Sequence, residues 1–404
     1  MRNVIFAVPF SLENTMRFVR AVRTLPDVRL FGIVQTPPVG DDAKLFDDIA
    51  VVQDGLDAQQ VLDAARKIAN RYGPIHRILG ILEPLQVQLA QVREVMGLPG
   101  VKAKTADLFR DKARMKDALR AAGLPCARHA VITDYSEAEA FAKTVGLPLV
   151  LKPPAGMGCK ATWRINTLDE LKGAVHAIGA SQQNPCLAEE FLRGREYSFE
   201  TLTLGGKVQF VSATRYYPTP LEVMETPWIQ WAVLMPRHID TPEFDGVYDL
   251  GVKTIEALGL ETGMTHMEWF RRDDGTLAIG EIAARPPGAQ IVLMNGFAHD
   301  VDFYRVWARL VVDDAVDGPL ERKYAVGTAF LRGIGRGRVI GVSGVEEANR
   351  KVGPLVVKAS LPVKGTPRSD SYEGDGYVIV RHPDTEVVKN AIKTVLETIR
   401  VTYA

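Results

Sequence analysis

The stretch THMEWFRRDDGTLAIGEIAARPPG, residues 265–288, decides how the rest of the chain is read. Two alternating runs flank Asp274-Gly275, a pair that strongly signals a two-residue hairpin turn. That turn sets a register in which Glu268 falls opposite Glu281 and His266 opposite Ala283. Side chains alternate along a strand, so Arg285 continues the face of Glu281, and Pro286-Pro287-Gly288 ends the strand. Two carboxylates facing each other at about 5 Å repel by roughly 3 kcal/mol at an effective dielectric of about 20. A favourable cross-strand pair returns only about 0.2–1 kcal/mol. Repulsion wins unless a cation or a proton lies between the acids. A hard, oxygen-ligated ion such as Mg²⁺, completed by phosphate oxygens, reverses the sign. The plainer alternative is two solvated surface acids in a slipped register.

Three other segments carry matching chemistry. KPPAGMGCKATW (152–163) follows the buried-strand pattern LPLVLK (147–152). Gly156 and Gly158 let the backbone approach a phosphate, with Lys152 and Lys160 as point charges on either side. Gly-Lys-Ser/Thr is absent and ATWRI reads as a returning strand, so the loop is a flap rather than a Walker A loop; a plain glycine-containing turn fits it as well. In DKARMKDALRAAG (111–123), Lys112 stands in the first turn of a helix, where it opposes the helix dipole. It is either solvated or recruited by a ligand. LAEEFLRGREYSFETL (187–202) reads as strand, Arg193-Gly194 turn, strand, with Glu189 and Glu190 before the turn and Arg195 and Glu196 after it. Such acids accept hydrogen bonds from an adenine amino group and ribose hydroxyls, or decorate an edge strand.

Around these segments the chain reads as α/β. Strand patterns at 4–9, 30–34 and 75–82 alternate with helical ones at 12–25, 58–73 and 85–97, as in a parallel sheet covered by helices. No G-x-G-x-x-G follows the first strand, which argues against a dinucleotide site there. A helix at 107–122 and a strand–helix–strand unit (130–134, 136–145, 147–152) follow. Residues 186–215 and 265–282 alternate as antiparallel strands, 299–312 is an amphipathic helix, and the remainder is short strands and Gly-rich turns closed by a helix at 385–399.

The 404 residues leave room for two or three domains. Lys+Arg and Asp+Glu each number 49, so no net field recruits nucleic acid or an anionic membrane, and phosphate binding must be local. Cys126, Cys159 and Cys186 lack metal-ligand spacing and cannot form a disulfide framework. Neither a signal-peptide pattern nor a spanning apolar run is present, so the expected setting is cytoplasmic, with no membrane span.

Taken in order, the DK helix, VLKPPAGMGCK, LAEEFLRGREYS, HMEW and GEIAARPPG resemble the ATP-grasp superfamily over residues 1–312. Beyond them, GRVIGVSGVEE and GYVIV resemble, more loosely, the C-terminal domain of the L-amino-acid ligase branch. The resemblance implies α/β and α+β architecture: a Rossmann-like pre-ATP-grasp domain at 1–103, an ATP-grasp domain at 104–312 with a lid at about 126–188, and a small C-terminal α+β domain at 313–404. It also implies ATP, Mg²⁺ (or Mn²⁺) and a carboxylate–amine ligase working through an acyl phosphate. Carried over by position, Lys112 and Lys152 match phosphate-contacting lysines and Gly156 and Gly158 the lid loop. Glu189 and the backbone near Leu192 match the adenine hinge, and Glu196 the ribose acid. Glu268 and Glu281 match the metal carboxylates, and Arg285 the arginine that steadies the transferred phosphoryl. One departure stands out: the family's Asn two residues after the second Glu is Ala283 here, so a metal ligand is missing, to be replaced by water, a phosphate oxygen or His266.

The implied partners are a small-molecule carboxylate and an amine, both amino-acid-like, and the family makes a homodimer a reasonable expectation. RYYPTPLEVMETPWIQWAVLMPRH (215–238) offers Trp228 and Trp231 as an aromatic substrate wall or as a packing excursion. Two alternatives stay open. Biotin-carboxylase-type chemistry would use bicarbonate, though no Met-Lys-Met biotinyl motif is present. A non-catalytic ATP-binding protein would have no need of the phosphoryl-transfer groups.

Overall fold

A computed structural model describes residues 1–156, 161–226 and 229–404. Its first unit is a parallel sheet of β1 (Arg2–Val8), β2 (Val28–Val34), β3 (Asp48–Val51) and β4 (Ile75–Leu79), in the order β3-β2-β1-β4. In β1, Val4, Phe6 and Val8 face one core while Ile5 and Ala7 face another, so both faces are covered and the apolar run is continuous. Helices α1 (Glu13–Arg23), α2 (Ala58–Tyr72) and α3 (Gln86–Met96) contribute to that cover. β3 has only four residues, DIAV, too few to show as a strand in the sequence. The sheet grows in opposite directions from β1, leaving a crevice at the carboxyl ends of β1 and β4, where open α/β sheets bind ligands.

The helix expected over 107–122 is two helices, α4 (Ala103–Arg110) and α5 (Lys112–Ala121). Asp111 separates them, its carboxylate accepting from the amides of Ala113 and Arg114 at 2.9 and 3.0 Å to cap α5. A lid follows: β5 (His129–Ile132), α6 (Tyr135–Val145), β6 (Leu149–Lys152), β7 (Trp163–Ile165), α7 (Leu168–Ile178) and β8 (Cys186–Glu190). Its antiparallel sheet runs β5-β8-β6-β7, with both helices packed around Leu149, Leu151 and Leu171.

The body contains β9 (Gly194–Leu204), β10 (Lys207–Tyr217), α8 (Pro220–Glu225), β11 (Trp231–Met235), α9 (Val247–Leu258), β12 (Gly263–Arg272), β13 (Leu277–Ala283), α10 (Ile291–His299) and α11 (Phe303–Asp313). The Arg193-Gly194 turn joins two sheets, since β8 belongs to the lid and β9 to the body. Gly194 has φ +141°, and a Cβ there would lie 2.2 Å from the Arg271 carbonyl oxygen, an approach only glycine permits. The helix expected over 299–312 begins later, because α10 ends at His299 and Asp302 caps α11. Phe303, Val306, Trp307 and Leu310 of α11 then pack into the core of the first unit.

The final segment comprises β14 (Ala325–Leu331), β15 (Gly333–Ile334), β16 (Val339–Ser343), α12 (Val345–Val352), β17 (Val356–Ser360), β18 (Gly376–His382), α13 (Thr385–Thr398) and β19 (Arg400–Tyr403). It extends the body rather than standing apart: one sheet runs β13-β12-β9-β10-β11-β14-β18-β17, with β15-β19-β16 forming a small second one. Among the described residues no helix is long and apolar enough to cross a membrane.

The β12–β13 hairpin has the expected pairs, Glu268 with Glu281 and His266 with Ala283, by an unexpected route. The turn encloses three residues, with the Arg272 amide donating to the Thr276 carbonyl at 2.8 Å. A bulge at Gly280 then adds one residue to β13 and offsets the longer turn.

Candidate functional site

A cavity of about 690 Å³ opens where the lid, the body and the first unit meet. Val150, Lys152 and Gly156 line it from the lid, Phe191, Leu192 and Glu196 from the crossing into the body, and Glu268, Glu281 and Arg285 from the β12–β13 hairpin and the turn after it. Leu12, Thr15 and Glu83 line it from the crevice of the first sheet, and Tyr372 and Glu373 from the final segment.

Its centre is a run of alternating charge. Lys112, buried at the start of α5, lies 2.9 Å from Glu281 Oε1 and donates to the Gly156 carbonyl at 2.9 Å. Lys152 sits 2.9 Å from Glu189 Oε2 and 4.0 Å from Glu281 Oε2. Lys116, fully buried, lies 3.3 Å from Glu189 Oε1 and donates to the Gly280 carbonyl. Three lysines face two carboxylates here; burial pulls the Lys116 ammonium below its ordinary range, so the positive charge that bears on a phosphate in this shielded setting is chiefly that of Lys112 and Lys152. Burial would raise the Glu281 carboxyl, but Lys112 and Lys152 hold it down to about 2.

The other wall has the opposite imbalance. Glu196 is pushed well above the usual carboxylate range, first by burial and then by Glu268. Among the described residues the cationic partner of Glu268 within 4.0 Å is the His266 ring, whose Nε2 lies 3.8 Å from Oε1. A divalent cation between the facing Glu268 and Glu281 would supply the missing charge, and their carboxylates are oxygen donors of the kind such an ion takes. Among the described residues no group of three or more His, Cys, Asp or Glu forms a ready cage. Phosphate oxygens and water would therefore complete the coordination, as suits Mg²⁺.

His266, across the strand pair from Ala283, is held by neighbours on both ring nitrogens. Its Nδ1 lies 2.9 Å from Glu200 Oε1, and its Nε2 3.4 Å from the Tyr216 hydroxyl. Burial opposes the charged ring, yet Glu200 and Glu268 raise it to about 9.

Arg285 lies beyond the end of β13 and turns toward the first unit. Its Nε and Nη2 donate to Glu83 Oε2 at 3.0 and 2.7 Å. Glu83 Oε1 lies 3.3 Å from Arg110 Nη1, and Arg110 also donates to the carbonyls of Ala155 and Gly156. One buried carboxylate thus ties the arginine of the site to the phosphate loop.

Glu189 lines the cavity beside Phe191 and Leu192. Its carboxylate is held between Lys116 and Lys152, so it serves as their counter-ion, and an adenine contact would fall to the backbone near Leu192. Glu190 is fixed by Arg128 and by Arg272 at 3.1 Å, while the Arg164 guanidinium sits 4.4 Å above the Phe191 ring. Gly158, Lys160 and Trp228 lie outside the described residues. Trp231 is a packing residue with an edge on the cavity, stacked on Phe330 at 4.6 Å and edge-on to Tyr372 at 4.7 Å. Two residues of the centre escaped the sequence reading. Lys116 was signalled by its position one helical turn after Lys112, and Glu83 by being an acid just beyond a parallel strand's carboxyl end.

Residues 117–296 match the ATP-grasp domain. The chain is 26% identical over 253 residues to an L-arginine-specific L-amino acid ligase of Bacillus subtilis, a match covering 61% of this chain and 60% of that protein's length. An L-amino acid ligase from Bacillus licheniformis has a similar structure, with a TM-score of 0.82 at 17% identity over 100% of this chain and 99% of that one. The biotin carboxylase domain of Hydrogenobacter thermophilus 2-oxoglutarate carboxylase, solved with MgADP and bicarbonate, gives 0.71 at 20% identity over 99% and 90%.

Proposed function

The chain carries an ATP-grasp domain, and on that premise we propose that it is an ATP-dependent carboxylate–amine ligase acting on amino-acid-like substrates. A substrate carboxylate oxygen attacks the γ-phosphorus of ATP, the bond to the β-phosphate oxygen breaks, and ADP leaves. The amine then attacks the acyl carbon, phosphate departs, and the nitrogen loses a proton to solvent. The first step brings two anions together and the second sets a neutral amine against an anionic acyl phosphate, so the protein's task is alignment and charge neutralisation. Lys112 and Lys152 bear on the phosphates from one side of Glu281. Glu268 and Glu281 would hold a divalent cation, which neutralises the β and γ oxygens when bound. Arg285, oriented by Glu83, faces the transferred group, and the lid excludes the water that would hydrolyse an acyl phosphate.

The observation that carries this reading is Glu281, which faces a second carboxylate in the strand register while the buried Lys112 and the partly buried Lys152 bear on its own. The test is a matrix of amino-acid pairs with ATP and Mg²⁺, with ADP and phosphate assayed and products weighed by mass spectrometry. One ADP and one phosphate per amide is the expected result. Nucleotide binding without ADP release for any pair would instead mark a non-catalytic binder, and release that depends on bicarbonate would favour the carboxylase alternative.

A further inference from the structure

Glu373 lines the cavity from the loop between β17 and β18, and the chemistry described so far leaves it unused. Its Oε1 accepts from the Ala289 amide at 3.2 Å. Among the described residues no lysine, arginine or histidine nitrogen comes within 4.0 Å of its carboxylate. Burial pushes the carboxyl above its ordinary range, and the Ala289 amide, the Gln290 side chain and Arg17 oppose this only in part. Arg17 is committed elsewhere, to Gln290 Oε1 at 2.8 Å and to the hydroxyls of Tyr377 and Tyr304 at 3.2 and 3.4 Å. An acid held this way has no cation in contact with it among the described residues, and a ligand bringing one gains a charge-assisted hydrogen bond.

Its place in the fold narrows the kind of cation. Lys112, Lys152, Glu268 and Glu281 enter the cavity from α5, the lid and the β12–β13 hairpin, whereas Glu373 enters from the final segment and is bonded to the Ala289 amide, beyond Arg285. An α-ammonium lies two bonds from the carboxyl carbon it accompanies and would stay near Glu281. The end of a long side chain would not. Leu12, Phe18 and Ile81 give the cavity an apolar wall suited to an aliphatic stem.

We propose that Glu373 sets specificity by receiving the cationic end of a basic side chain, so that the substrate class is a basic amino acid. The ligase reading enters only in saying which end reacts; the binding claim stands apart from turnover. L-arginine and L-citrulline share shape and differ in charge, and L-lysine and L-norleucine do nearly the same. Calorimetry on the MgADP-loaded protein should show L-arginine binding at least about 30-fold tighter than L-citrulline. In Glu373→Gln, which keeps an acceptor for Ala289, that ratio should fall to within about threefold while MgADP affinity holds. Glu373→Lys should abolish L-arginine binding. An unchanged preference in Glu373→Gln, or equal binding of both probes by the unmodified protein, overturns the proposal. Amide formation with the preference intact in Glu373→Gln would sink the proposal and leave the ligase standing. Glu373-dependent L-arginine binding without turnover on any pair would sink the ligase and leave the proposal.

Discussion

Glu281→Gln removes a charge while keeping shape, and the structure fixes both the size and the pH dependence of the effect. The lysines hold this carboxyl at about 2, against an ordinary 4.5. At 1.36 kcal/mol per pH unit, that gap corresponds to about 3 kcal/mol of preference for the ionised form in the fold. Water reaches 24% of the side chain, which trims the figure to about 2 kcal/mol. A depressed carboxyl stabilises fully above its unfolded value and loses that contribution as pH falls through the folded one. The variant should therefore be about 2 kcal/mol less stable than the parent at neutral pH, with the gap closing between about pH 4.5 and 2. Urea unfolding followed by tryptophan fluorescence, from neutral pH down to the acid limit of the parent's folded state, measures it. Mg²⁺ with a non-hydrolysable ATP analogue should raise the parent's midpoint and leave the variant's almost unmoved, because one of two opposed carboxylates is gone. A variant as stable as the parent at pH 7, or a gap that does not narrow in acid, would refute the account of the charged centre.

Lys116→Met should cost about 3–5 kcal/mol, because Glu189 loses its largest counter-charge while remaining buried. Adding Glu189→Gln should recover part of the loss, and additive losses in that double-mutant cycle would count against the pairing. His266 in the ligand-free protein should titrate near 9, as followed by NMR of the imidazole. Its raised value means the stabilisation is complete below about 6.5 and lost as pH rises through 9, and a midpoint at or below 6.5 would contradict the Glu200 contact.

The sequence shows most clearly what is local. β1 and β2 are buried on both faces and read as apolar runs, and α5 announces itself through Asp111. The order of motifs from the DK helix to GEIAARPPG locates the site because each motif is a few residues long and chemically distinctive. What the sequence hides is partnership at a distance. Glu83 meets Arg285 across 202 positions, and Lys116 meets the Gly280 carbonyl across 164. No local pattern distinguishes Glu189, a buried counter-ion, from Glu190, which faces two surface arginines, since the two are neighbours on one strand. The continuity of β11 with β14 is hidden for the same reason: the composition shift near 313 marks a change of local style, while the sheet runs through it.

The hairpin shows how a correct pairing can arise from an incorrect path. A two-residue turn alone would place Glu268 opposite Glu281, and so does a three-residue turn followed by a bulge. The two routes differ in what lies beside the pair. With the bulge, Gly280 and Glu281 both line the cavity, and the Gly280 carbonyl is free to accept from Lys116. A Cβ at 280 would come within 3.1 Å of the Phe270 ring and 3.2 Å of the Glu268 carbonyl oxygen, so the position calls for glycine. The bulge therefore anchors one end of the alternating run of charge, and Lys112 on Glu281 anchors the other. Lys116 is held by the carbonyl and Glu189 by Lys116, which leaves Lys152 placed between two acids with a share of its charge to offer a phosphate. On the proposed reading the facing glutamates would hold a cation, and the extra glycine between them and the turn organises the lysines that would meet the anion.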